Sequence, residues 1–225
     1  MAVKIVIWPA IPLIGLLLVA AACGGGSSGG DPEQLLARMV LRLDDLPAGY
    51  SEDPGEYSEN EDIALGDEEE LARLEAQGRI LGYDTAFNRG DVSEQEAPFV
   101  GVDSAVSLYE DAGGAGESWD QAAEEARSTD WEASLGFGET KVEEVDREIA
   151  DETLWLRVTG LVELGEEQTP VLVMDDQIIL RQGRARGYLR VFSAMEGSGD
   201  RSALIDEVAS LAERQLQRMN EAVGD

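Results

Sequence analysis

The chain has 225 residues, with 17 Lys and Arg set against 47 Asp and Glu, a formal net charge of −30 and no histidine. That length fits one domain with appendages, and 43% hydrophobic residues are enough for a core. Missing histidine excludes the Ser-His-Asp triad, the Cys-His dyad and His-ligated zinc. So acidic a surface also excludes nucleic acid as a partner, because that needs clustered Lys and Arg to displace counterions.

At the N-terminus Lys4 precedes an apolar run over residues 5–22, which meets Cys23, the only cysteine, and then Gly24-Gly25-Gly26-Ser27-Ser28-Gly29-Gly30. A charged start, an apolar middle and small residues before a cleavage point are the parts of a secretory signal. The alternative is an uncleaved spanning helix, since about 18 apolar residues just cross a bilayer. Pro9, Pro12 and Gly15 make that helix a poor one. The junction Ala20-Ala21-Ala22-Cys23 resembles the lipobox of bacterial lipoproteins. The resemblance implies cleavage after Ala22, a diacylglyceryl group on the Cys23 thiol and an acylated amino terminus. The expected organisation is a signal peptide over 1–22, a lipidated cysteine with a Gly/Ser tether over 23–30, and a single extracytoplasmic domain over 31–225. That places the chain on the cell membrane through its lipid anchor, with no thiol left for disulfide or redox work.

In the mature part, Asp31 reads as a helix N-cap and Pro32 as the first helical residue. Leu35, Leu36, Met39, Val40 and Leu43 follow at helical spacing, so the helix is expected to run until Leu46-Pro47. The acidic stretch 52–62, with Pro54 and Gly55, reads as a mobile loop. Asp67 and Glu70 open a short helix that ends at Gly78. Residues 80–88 alternate, with Leu81, Tyr83, Thr85 and Phe87 on one side, and 99–109 form the next strand. Gly113-Gly114-Ala115-Gly116 reads as a tight turn before a helix carrying Trp119, Ala122, Ala123 and Ala126. Four further strands are expected over 141–149, 153–162, 171–180 and 184–192. Short connections force them to pair antiparallel. Asp200 then caps a terminal helix with Ile205, Val208, Ala212, Leu216 and Met219 inward.

The fold class is therefore α+β, an antiparallel β-sheet of five to seven strands with helices packed against it. The phrase Asp45-Leu46-Pro47-Ala48-Gly49-Tyr50 after the first helix, and the late turn Arg181-Gln182-Gly183, resemble those of extracytoplasmic lipoproteins of Gram-positive-type and related bacteria. The resemblance brings no catalytic residue with it.

Among features that carry chemistry, the Gly113–Gly116 stretch lacks the lysine of a phosphate-binding loop, since Glu117 stands where it is needed. The acidic residues lack the spacing of a calcium loop, so no metal and no cofactor is expected. Arg184, Arg186 and Arg190 share strand parity and form a basic island, either contacting an anion or an acidic partner or neutralising Glu143, Glu144 or Asp146 on neighbouring strands. Trp119, Trp131, Trp155, Tyr188 and Phe192 fill the core or line an apolar cavity between sheet and helix. The expected role is non-enzymatic: binding of a small apolar ligand or protein partner, with no catalytic residue. The alternatives are an extracytoplasmic hydrolase using paired carboxylates and a purely structural accessory subunit.

Overall fold

The computed structural model describes residues 31–89, 99–164, 169–196 and 201–223. The signal, the Cys23 junction, the tether and Asp200 lie outside the described residues. Helix α1 (Pro32–Met39) opens where Asp31 accepts from the Glu33 N–H, with Pro at its first position. It ends sooner than the periodicity suggests, at Met39. There the chain turns extended, the Leu41 N–H donates to Ser104 Oγ at 3.0 Å, and a 3-10 turn follows at Leu43–Asp45. Leu36, Met39 and Val40 are buried as expected, whereas Leu43 is exposed.

The stretch expected as a loop is the edge strand β1 (Tyr50–Ser58) followed by the short helix α2 (Asn60–Ala64). An edge strand needs apolar side chains only where it faces the core, and here Tyr50 alone is buried. Its Pro54-Gly55 pair falls at a register break between Asp53 and Glu56, where a missing N–H costs no ladder bond. Such an acidic, bulged edge also discourages pairing with another chain.

Helix α3 (Glu68–Ala76) is capped by Asp67, which accepts from the N–H groups of Glu69 and Glu70. Strands β2 (Arg79–Arg89) and β3 (Gly101–Tyr109) follow, then α4 (Ala112–Ser128) and α5 (Trp131–Leu135). The glycines expected as a turn lie inside α4, whose cap is Asp111. A Cβ at Gly114 would collide with the Gln77 carbonyl, so glycine there lets the start of α4 press against the end of α3. The meander β4 (Gly138–Glu144), β5 (Glu152–Leu164), β6 (Thr169–Gln182) and β7 (Ala185–Glu196) precedes α6 (Arg201–Val223).

All seven strands form one sheet in the order β1-β2-β3-β7-β6-β5-β4, antiparallel at every pairing. One face carries Phe87, Val102, Trp155, Met174, Ile178 and Leu189 against α6, with α1 beside it over Val106 and Leu108. Gly187 lets α6 approach, because a Cβ there would stand 3.0 Å from Met219 Sδ. The opposite face packs Leu154, Leu156, Ile179 and Tyr188 against Ala123, Trp119 and Trp131 of α4 and α5. The result is three layers, with helices on both faces of an antiparallel sheet.

Candidate functional site

Residues 175 and 176 place two aspartates on opposite faces of β6. On the α6 face Asp176 is fully buried and accepts two bonds of 2.8 Å from Arg157 Nε and Nη2, and one of 2.6 Å from Trp155 Nε1. Burial pushes its carboxyl above the usual range, opposed by the Arg157 and Trp155 donors. On the α4 face Asp175, also fully buried, takes Arg190 Nη2 at 2.8 Å and Nε at 3.0 Å, with Gln177 Nε2 at 3.2 Å. Burial works against the Arg190 charge, yet its bonds to Asp175 outweigh that and hold the guanidinium above its ordinary value. Tyr188 donates to Gln177 Oε1 at 2.6 Å, and burial followed by the Asp175 charge pushes its hydroxyl pKa up. Asp103, opposite Arg190 on β3, is also pushed up by desolvation; Arg190 eases the shift, and Asp175, Asp84 and Asp53 add to it.

Four residues down the same face of β7 the pattern changes. Arg186 Nη1 donates to Ser118 Oγ at 2.8 Å and Ser118 O at 3.2 Å, both neutral. Ser118 Oγ lies 2.5 Å from Tyr109 OH, and Arg184 Nη1 reaches Tyr109 O at 3.4 Å. Arg79, absent from the residues singled out in the sequence, belongs to the same cluster. It is only 6% exposed and bonds neutral oxygens alone: Ser107 Oγ at 3.3 Å, Ser58 O at 3.1 Å, Ser58 Oγ at 2.9 Å and Asn60 Oδ1 at 2.9 Å. Burial lowers its pKa; Tyr109 and, more weakly, the Asp62 charge oppose the shift, and the nearby Arg186 charge adds to it.

The three arginines expected as an island therefore separate. Arg190 is an internal ion pair, Arg186 rests on α4, and Arg184 lies in the turn before β7. None neutralises Glu143, Glu144 or Asp146, because β5 and β6 stand between β4 and β7. Glu143 takes Lys141 instead, and Glu144 takes Arg127. The aromatics divide as well. Trp155 faces α6, whereas Trp119 of α4 and Trp131 of α5 pack with Tyr188 on the opposite face of the sheet, and Phe192 meets Phe137 with ring centroids 6.4 Å apart. One cavity cannot be lined by both sets, and each fills core on its own side. The signal for Arg79 was present in the sequence as an arginine opening a strand. Its burial follows from Gly82, where a Cβ would collide with Arg79 Nη2.

Comparison with known proteins adds little. No family model matches the chain, and no curated protein does. Among solved structures, it is similar to the extracellular domain of PknH from Mycobacterium tuberculosis at 10% identity, with a TM-score of 0.48 over 83% of this chain and 97% of that one. Among the described residues no helix is long and apolar enough to cross a membrane.

Proposed function

We propose that this protein is a lipid-anchored, non-enzymatic binding module displayed on the extracytoplasmic face of the membrane. The observation that carries the reading is the order of its parts. An apolar run and three alanines end at the sole cysteine, a Gly/Ser stretch follows, and the fold opens at the Asp31 cap. Acyl chains on Cys23 would anchor the protein at about 0.8 kcal/mol per buried methylene, and two or more such chains make the anchor stable. A Gly-rich tether of this length has a root-mean-square span of about 15 Å, so the domain stays close to the bilayer surface.

Binding is favoured over hydrolysis because Asp176, the carboxylate pushed upward at the centre of the sheet, is fully buried and held by its own donors. A general acid must reach its substrate, and Asp176 is sealed behind Arg157 and Trp155. Arginine donors resting on neutral oxygens suit recognition of an acidic group on a ligand or partner. Metabolic fatty-acid labelling tests the anchor. Wild type should take up label, and Cys23→Ser should take up none and persist as precursor or be released. Label on the variant, or none on wild type, would overturn the lipoprotein reading.

A further inference from the structure

We infer that Arg186 and Arg79, with Arg184 beside them, form a binding site for a tetrahedral dianion, a phosphate or sulfate group. Elsewhere on the sheet and its helices the partly or fully buried arginines Arg157, Arg181, Arg190 and Arg218 each take a carboxylate. Arg79 is more deeply buried than Arg181, Arg190 or Arg218 and takes none. A guanidinium stays protonated, so its charge is buried with no carboxylate in hydrogen-bond contact and with Asp62 opposing it only at longer range, which is expensive.

The strand register brings Arg186 beside it. Across β6–β7 Arg186 stands directly opposite Arg181, and across β3–β7 it stands opposite Ser107, whose hydroxyl holds Arg79 Nε. Arg181 is itself neutralised by Glu152 with Asp151 close by, whereas Arg186 takes no carboxylate among the described residues. Arg186 is partly exposed, and among the described residues only its Nη1 has a partner, which leaves its Nε and Nη2 fork without one. That fork matches two oxygens of one anion. The Arg186 fork, with the Arg79 charge beside it, matches a double charge, while Ser118 and Tyr109, both buried and bonded to one another, hold the Arg186 side chain from behind.

The net charge gives the site a signature. The distant carboxylates repel an anion over a range that salt shortens, whereas the close, partly buried guanidiniums are screened much less. Affinity should therefore hold or rise between low salt and about 0.15 M chloride, opposite to adsorption on an exposed basic patch.

The site deepens the binding-module reading and is independent of the lipid. A failed labelling experiment would leave it standing, and its own failure would leave the anchor standing. The test is thermal unfolding of the full chain in sodium phosphate and in sodium sulfate, each against sodium chloride of equal ionic strength. We expect a saturable rise in melting temperature for both anions and not for acetate. Arg186→Gln should weaken the response about tenfold, and Arg184→Gln should do so less. Arg190→Gln should lower the baseline yet keep the phosphate increment. Glycerol phosphate distinguishes the sources: an equal increment identifies a phosphate ester such as a lipid headgroup, and a missing one identifies the free anion. No increment beyond chloride in wild type, an equal one with acetate, or one that survives in both Arg186→Gln and Arg184→Gln would overturn the inference.

Discussion

Arg190 and Arg186 occupy the same face of the same strand four residues apart, and their surroundings are opposite. Arg190 faces Asp103 on β3 and reaches Asp175 on β6, whereas Arg186 faces Ser107 and Arg181. The centre of the sheet is electrically closed, with each buried carboxylate and its guanidinium supplied from neighbouring strands. Towards α3 and α4, Arg186 and Arg79 are instead held by hydroxyls, an amide and backbone carbonyls, while Arg181 opposite Arg186 keeps Glu152. What differs is therefore not the residue type but what the register sets opposite each arginine.

The comparison breaks most sharply at Asp176. Asp176→Asn removes the only carboxylate that Arg157, itself 4% exposed, holds among the described residues, and should cost about 3–5 kcal/mol by chemical denaturation. Pairing Arg157→Met with Asp176→Leu should recover most of the loss, because two apolar groups leave no charge stranded. A smaller contrast separates the two arginines of β7. Arg190→Gln strands the fully buried Asp175 and should cost about 2 kcal/mol, while Arg186→Gln in chloride should stay within about 0.5 kcal/mol. Equal losses for the two variants would erase the distinction.

The smallest expected effect tests the rim of the closed region. Asp103 has its folded pKa raised, chiefly by desolvation, so its contribution to stability is present at low pH and is lost as pH rises through that value. Asp103→Asn should therefore raise the melting temperature modestly at neutral pH. The gain should vanish on acidification below the ordinary aspartate range of about 3.9, where the wild-type carboxyl is also neutral. A gain that persists in acid would assign the effect to packing instead.

Much of this architecture is legible in the chain. The alternation of residues 80–88 and the four-strand meander predict β2 and β5 to β7 within a few residues, because each strand has a buried face that fixes its parity. Strand β1 was not legible, since an edge strand of Ser, Glu, Asp, Pro and Gly carries no alternation and is held by backbone pairing to β2. The end of α1 was misjudged because Leu36, Met39 and Val40 keep helical spacing, while Ser104, more than sixty positions away, captures the Leu41 N–H. The candidate site was half visible. Arg186 could be read from its parity, but its freedom from carboxylates depends on the sheet order, which puts β3 rather than β4 beside β7. Arg79 enters through Gly82 and Asn60, contacts that no local pattern announces.

The contact between Gly114 and the Gln77 carbonyl bears on the order in which the molecule assembles. Beside it the Glu110 N–H donates to Gly78 O at 2.8 Å, and Arg73 and Gln77 both reach Gln121 on α4. The end of α3 is thereby fastened to the start of α4 across the base of the β2–β3 pair, so α3, β2, β3 and α4 close on one another through contacts within fifty positions. Closing such a loop costs an entropy that grows only slowly with its length, and contacts of this kind form early. Helices α1 and α6 meet from opposite ends of the domain and must wait for the meander between them. Folding then has two tempos, with Ser107 brought to Arg79 in the first and the α6 core completed in the second.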